Sequence, residues 1–118
     1  MKNVKDEVYA ALLKVTDNVS DSYPKDWENF PAIQFAEEDN SVFEHTREGE
    51  QKSKVRYRID IWDNRSTSKA ALDIDEAISA LGLVRTGCMD VPEPGYKHKQ
   101  MRYEGIIDMH SDFVYWNN

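Results

Sequence analysis

The sequence predicts an α+β fold in which two α-helices pack on one face of an antiparallel or mixed β-sheet. Apolar residues recur at helical spacing in two segments, one near the N-terminus and one after residue 65. The segments between and after them are short apolar or alternating runs, which predict strands. The order helix, strands, helix, strands is typical of a layered α+β domain. We expect the other face of the sheet to be polar, and either solvated or used in assembly.

The length and charge of the chain limit the classes of protein to which it can belong. Its 118 residues most simply form a single domain, residues 1–118. No run approaches the roughly 18 apolar residues that span a bilayer, so no membrane contact is expected. The 15 basic and 22 acidic residues give a net charge of −7, which repels phosphate backbones and argues against specific nucleic-acid binding. The N-terminal segment is typical of an amphipathic helix rather than a signal peptide, so folding in the cytoplasm is expected.

The N-terminal quarter of the chain predicts a helix and then an aromatic loop. The helix is expected from about residue 3 to residue 18, with Asn3 as its N-cap. Residues 17–31, DNVSDSYPKDWENFP, are rich in turn formers and predict a loop. Because aromatic side chains are costly to leave in water, we expect this loop to wrap over the sheet or to pack on a neighbouring subunit. Its three aromatic residues are Tyr23, Trp27 and Phe30.

The next segments predict three strands. Two short strands are expected at residues 32–37 and 41–46, with the acidic sequence EEDN (37–40) as the turn between them. The polar segment 47–54 predicts a mobile hairpin tip or a long loop. The clearest strand, KVRYRIDIWDN, occupies residues 54–64, and its alternation predicts one buried and one polar face. Val55, Tyr57, Ile59 and Ile61 point to the first face, and Arg56, Arg58, Asp60 and Trp62 point to the second.

The second half of the chain predicts a helix followed by a hairpin. The helix lies within RSTSKAALDIDEAISALGL (65–83), with Ser66 or Thr67 as its cap and Gly82 as its stop. A short strand at 83–90, a turn at VPEPG (91–95) and a long strand at about 97–109 follow. The C-terminal segment SDFVYWNN carries three aromatic residues: Phe113, Tyr115 and Trp116.

The stretch GCMDVPEPGYKHKQMRYEG (87–105) holds the residues that most resemble an active site. A nucleophilic cysteine needs a nearby histidine and an electropositive pocket, and Cys88 with His98 could form such a pair in a hairpin. The alternative interpretation, which we favour, makes Cys88 a small apolar filler and His98 an exposed strand residue.

Sequence motifs for metal, cofactor or phosphate binding are absent. The single cysteine excludes a disulfide within the chain and a multi-thiolate zinc site. The three histidines stand alone in the sequence, and neither EEDN nor DIDE has the spacing of a calcium loop. Since GxGxxG, GxxxxGK[ST] and GxSxG are also missing, we expect no enzyme, no metal and no cofactor.

Aromatic and arginine side chains are the more informative feature, because these residue types dominate the energetics of protein interfaces. Several of them fall in loops or on the polar face of the strand at 54–64, although any one of them could instead complete the core. The candidate assembly interface comprises Tyr23, Trp27, Phe30, Arg56, Arg58, Asp60, Trp62, Arg102, Tyr115 and Trp116.

The order of motifs resembles a known family of small phage proteins. The loop SYPKDWENFPAIQF, the strand VRYRIDIWDN, the capped helix RSTSKAALDIDEAI, then LGLVRTG and the strand HKQMRYEGIID follow one another between Val4 and Asp108. This arrangement resembles the tail terminator (head–tail joining, minor tail) proteins of long-tailed bacteriophages and prophages.

The resemblance implies a structural role in virion assembly. Members of the family form a ring, commonly a hexamer, that halts tail-tube polymerisation at the head-proximal end and docks to the neck. The implied partners are further copies of the chain, the tail tube protein and a neck or head-completion protein. The implied location is the host cytoplasm during assembly and the tail or neck of the virion afterwards. Two alternatives stay open: a head-completion or minor capsid protein of the neck, and a small Cys/His-dependent hydrolase.

Overall fold

A computed structural model describes residues 2–116 as two helices and one six-stranded sheet. Along the chain the elements are α1 (Val4–Leu12), β1 (Val19–Ser20), β2 (Ala32–Thr46), β3 (Gly49–Asp63), α2 (Ser68–Ser79), β4 (Val84–Val91), β5 (Lys97–Asp108) and β6 (Val114–Tyr115). The strand order is β1-β2-β3-β5-β4, and β6 pairs with β5 beyond the end of β4. β1 and β2 are parallel, and the other pairs are antiparallel. The predicted α+β fold with a mixed sheet is therefore confirmed.

The inner face of β3 lies against both helices, as its alternation predicts. The four apolar side chains of this face are almost completely buried: Val55, Tyr57, Ile59 and Ile61. α1 contributes Val4, Val8 and Leu12 to the same core, and α2 contributes Ile74 and Ile78. Both helices therefore cover one face of the sheet, and apolar burial on that face supplies the main stabilisation of the fold.

Two buried tyrosines of the inner face hold neighbouring elements together, Tyr57 by a bond to β2 and Tyr103 by a bond to α2. Tyr57 and Tyr103 lie opposite each other on β3 and β5. The Tyr57 hydroxyl donates to Glu37 (2.7 Å), and the Tyr103 hydroxyl donates to Asp75 of α2 (2.7 Å). Burial raises the pKa of both phenols well above the ordinary range, and the neighbouring carboxylates raise it further. Both tyrosines therefore stay neutral hydrogen-bond donors at physiological pH.

α1 begins where the sequence predicts but ends earlier. The side chain of Asn3 accepts a hydrogen bond from the Asp6 backbone N–H (3.1 Å), which confirms it as the N-cap. The last turn tightens after Leu12, whose carbonyl accepts from Val15 N–H at 2.9 Å. Asn18, which the sequence placed in the helix, instead donates to two carbonyls of the following loop.

The acidic turn predicted at residues 37–40 is wrong. β2 runs through this segment without a break, and its pairing with β3 shifts by one residue between Glu37 and Asp39. The resulting β-bulge leaves Glu38 unpaired in the ladder. Residues 49–54 of the predicted loop are also strand, and the connecting turn is confined to residues 47–48.

The distal ends of β2 and β3 form an arm, defined here as residues 40–51. Every residue from 40 to 48 is exposed, so neither helix covers this part of the hairpin. The arm contributes to an elongated molecule of 53 × 24 × 21 Å. It also exposes two large apolar side chains, those of Val42 (54%) and Phe43 (48%).

α2 begins at Ser68, and Gly82 follows its C-terminus as predicted. Thr67 occupies the N-cap position, but its side chain makes no cap hydrogen bond; Ser66 Oγ accepts from Ser68 N–H instead (3.2 Å). Gly82 adopts φ +96°, and a Cβ at this position would overlap the carbonyl oxygen of Val114. Glycine is required here both for its backbone conformation and for the close approach of β6.

We expect Gly82→Ala to destabilise the fold by about 3 kcal/mol, because backbone strain adds to the steric overlap. Gly95→Ala is the matched control, since Gly95 also has positive φ (+84°) but a Cβ added there would meet nothing within 4 Å. The control should lose only about 1 kcal/mol from backbone strain. Urea unfolding measures both changes, and equal losses would contradict the close approach at Gly82.

Candidate assembly surface

The outer face of the sheet, opposite the helices, carries most of the predicted interface residues. Its side chains come from alternate positions of β3 and β5, which pair in antiparallel register. Four cross-strand pairs build the centre of this face: Arg56 with Glu104, Arg58 with Arg102, Asp60 with Gln100, and Trp62 with His98. The two adjacent arginines would repel each other without a nearby acid.

Glu38 supplies that acid. Its carboxylate accepts hydrogen bonds from Arg102 Nε (2.9 Å), Arg56 Nε (3.2 Å) and Arg58 Nη1 (3.4 Å). The hydrogen bond from Arg102 is the largest cause that holds the pKa of Glu38 below its ordinary value of 4.5. Glu38 lies on the same face as Arg58 by alternation from Ala36, which pairs with Arg58, so one carboxylate can reach all three guanidinium groups.

The accessible charge of this cluster is positive. The side chains of Arg56, Arg58 and Arg102 are 39%, 29% and 38% exposed. The acids of the same face, Glu38, Asp60 and Glu104, are 18%, 5% and 15% exposed, so the guanidinium groups are the more accessible charges. We call the surface formed by these three arginines the arginine face.

Asp60 joins β3 to β5 from a buried position. Its carboxylate accepts from Arg58 Nε (2.8 Å) and Gln100 Nε2 (3.1 Å), and it lies 2.9 Å from His98 Nε2. The residue is 3% exposed. Although the sequence places Asp60 in the assembly interface, it lies out of reach of a neighbouring subunit and holds two strands together instead.

Trp62 is also buried, contrary to the expectation that it faces a partner. Its indole stacks on the His98 ring at 4.3 Å between centroids, and its Nε1–H donates to Glu93 (2.5 Å). The rings of Tyr23 and Trp27 cover its edge at 5.7 and 5.6 Å. The residue is 3% exposed because the chain's own loop closes over it.

The aromatic loop packs on its own sheet, which is one of the two placements that the sequence predicts. Trp27 and Phe30 contact Tyr96, at 5.0 and 5.8 Å between ring centroids. Tyr23 contacts Trp27 and Trp62 but stays 57% exposed. Of the three loop aromatics, Tyr23 is therefore the one that offers substantial area to another molecule.

The C-terminal aromatic residues flank the arginine face at its other end. Lys54 Nζ lies 5.3 Å from the centroid of the Trp116 ring, and Lys52 Nζ lies 5.7 Å from that of Tyr115. The hydrogen bond with Tyr115 raises the pKa of Lys52. The accessible centre of the outer face thus lies between two groups of aromatic side chains.

Cys88 and His98 do not form a catalytic pair. β4 and β5 make the predicted hairpin, in which Cys88 lies opposite Met101 and His98 lies opposite Val91. Because Met101 belongs to the inner face and His98 to the outer face, the two side chains project to opposite sides of the sheet. The environments that the sequence favoured for these two residues are nevertheless wrong. Cys88, expected to fill the core, is exposed on an edge strand. His98, expected to be exposed, is largely buried against Trp62 and Asp60.

We expect Asp60→Asn to destabilise the fold by about 3 kcal/mol, because it leaves Arg58 without its buried carboxylate partner. Asp73→Asn is the matched control, since it removes a carboxylate from the solvent-exposed pair with Lys69. That change should cost under about 0.5 kcal/mol. Urea unfolding compares the two variants, and a small loss at Asp60 would show that the buried network is dispensable.

We expect Glu38→Gln to weaken the fall in the free energy of unfolding that the wild type shows at acidic pH. A lowered pKa in the folded state means that ionised Glu38 stabilises the fold fully above its ordinary value of 4.5. That stabilisation is lost as pH falls through the lower, folded-state pKa. The variant should therefore be less stable than the wild type at pH 7, with a difference that shrinks between about pH 5 and pH 3.

Unfolding in urea at a series of pH values measures this difference. Glu76→Gln, which replaces an exposed glutamate of α2, controls for the loss of one carboxylate. A stability difference that stays constant from pH 7 to pH 3 would contradict the role assigned to Glu38.

Comparisons with known proteins identify no relative, so the arrangement of side chains in the structure is the main guide to function. A scan against protein-family models and a search of curated proteins found no match to this chain. Among residues 2–116, no three His, Cys, Asp or Glu side chains are grouped so that they could hold a metal ion. In the same range, no helix has the length and apolar character needed to cross a bilayer. The exposed arm and the arginine face are the surfaces that require a functional explanation.

Proposed function

We propose that this chain is a structural assembly protein of the tail-terminator type. It forms a ring, with six copies as the expected number, at the head-proximal end of a phage tail tube. There it stops tube polymerisation and docks to a neck protein, after folding in the host cytoplasm. The observation that carries the proposal is the arm, a hairpin that exposes Val42 and Phe43 outside the helical layer.

The arm is poorly suited to remain in solvent. Its residues 40–48 are all exposed, and an isolated two-stranded hairpin is only marginally stable in water. Its β2 edge is also open, because β1 pairs only with Ile33 and Gln34. Long exposed edges tend to be covered by another chain. A partner that covers the arm would remove both costs.

A ring requires two different patches on each copy, because one patch has to meet another on the next copy. The arm and the arginine face meet this requirement, since they are different surfaces with no residue in common. The motif resemblance supports the same role, and the α+β layer agrees with the fold of that family. The proposal includes no catalysis, in keeping with the separation of Cys88 from His98 across the sheet.

We expect the double substitution Val42→Thr with Phe43→Ser to abolish ring formation without unfolding the chain. Both side chains are about half exposed, so the fold loses little from their replacement, whereas a covering partner loses its apolar anchor. Leu72→Ser is the matched control, because Leu72 is 71% exposed on α2, away from the arm. Sedimentation velocity across concentration, with negative-stain images, should show rings for the wild type and the control but monomers for the protein with Val42→Thr and Phe43→Ser.

A phage that lacks the gene separates the terminator from the neck adaptor. Tail tubes of abnormal length in electron micrographs would support the terminator. Full heads without joined tails would point to the neck adaptor instead. Normal particles would overturn both assignments.

A further inference from the structure

We propose that the arm of one copy docks on the arginine face of the next copy. This inference rests on the proposed ring, for which it names the two surfaces that meet. It also excludes Asp60 and Trp62, which are buried, from direct contact with the neighbour.

Charge complementarity is the first argument. Within the arm, the acidic residues Glu44, Glu48 and Glu50 outnumber the basic Arg47, and Glu44 also pairs with Lys52 just beyond the arm. On the arginine face, the three guanidinium groups are more exposed than the acids around them, which are Glu38, Asp60 and Glu104. The chain as a whole is acidic, at −7, so this face is an unusual local site for an acidic segment. Attraction between the two surfaces therefore favours this docking over a meeting of two arms.

Apolar contact is the second argument. Arginine offers a planar guanidinium group and an aliphatic stem, both of which pack well against aromatic rings. Phe43 can lie on the partly exposed side chains of Arg56 and Arg102, with Tyr23 and Trp116 at the two ends of the face. The arm thus carries an acidic rim and an apolar centre, and the receiving face has a basic centre with aromatic ends.

Geometry makes the occupant a second copy rather than the same chain. The arm continues β2 and β3, the strands on which Arg56, Arg58 and Glu38 lie. A continuous strand pair cannot fold back onto the face that it builds. The seven residues 40–46 extend about 23 Å at 3.3 Å per residue, which matches the 24 × 21 Å cross-section of the molecule. One arm is therefore long enough to cross the face of a neighbour.

A mixing experiment tests this arrangement. The arm variant carries Phe43→Ser and Glu44→Arg, both at exposed positions. The face variant carries Arg56→Gln and Arg102→Gln, which keep hydrogen-bond donors near Glu38 but remove two charges. We expect each variant alone to sediment as a monomer. An equimolar mixture should sediment as a dimer, because the intact arm of the face variant docks on the intact face of the arm variant and the series then stops.

Rings of wild-type size from the face variant would overturn the docking site and leave the proposed ring standing. A wild-type protein that stays monomeric at every concentration, with no rings in negative-stain images, would overturn the proposed function and this inference together. Two variants that sediment as monomers but give no dimer when mixed would also overturn the inference.

A cross-linking measurement avoids any substitution in the arginine face. A photo-reactive benzoyl-phenylalanine replaces Phe43, which is half exposed and therefore tolerant of the change. Cross-links between copies should map by mass spectrometry to residues 53–63 or 97–108. Cross-links to β4 or to the helices would place the arm elsewhere and contradict the proposal.

Discussion

The central position of β3 is the constraint on which the other parts of the structure depend. β3 pairs with β2 on one side and β5 on the other, so its period of two sorts the side chains of all three strands between two faces. Val55, Tyr57 and Ile59 fix the helical side. A slip of one residue would bury arginines beneath the helices and expose this apolar row. The same register that builds the core therefore also lines up the three guanidinium groups on the outer face.

Local sequence patterns predicted the fold class, because the spacing of apolar residues within a helix or strand shows which of its faces is buried. The alternation at 54–64 and the helical spacing at residues 70–78 both survive in the structure. The acidic run 37–40 failed as a turn prediction because its compensation is distant in sequence. Arg56, Arg58 and Arg102 lie 18, 20 and 64 residues from Glu38. With these partners in place, Glu38 can be accommodated in a strand, although its local sequence favours a turn.

For the candidate interface, too, local sequence predicts some features, whereas others depend on residues that are distant in the chain. Residue type identified arginine and aromatic side chains that lie on one face, and alternation placed Arg56, Arg58 and Trp62 on it correctly, together with Asp60. The burial of Asp60 and Trp62 could not be predicted from local sequence, because the side chains that cover them come from distant parts of the chain. Glu93 lies 31 residues from Trp62, and His98 lies 38 residues from Asp60. The sequence predicted a hairpin tip near residues 47–54 but not the exposure of the strands beside it, because Val42 and Phe43 have the composition of an ordinary half-buried strand.

Net charge and local charge act at different ranges in the proposed ring. Copies that each carry −7 repel one another, although salt screens this repulsion beyond about 8 Å at physiological ionic strength. The arginine face presents the opposite sign, so attraction is restricted to approaches that bring an acidic arm onto it. In other orientations the two acidic copies repel each other, and the Phe43 side chain stays exposed to solvent. Charge placement therefore selects the head-to-tail orientation that a closed ring requires, while apolar burial at the arm supplies the affinity.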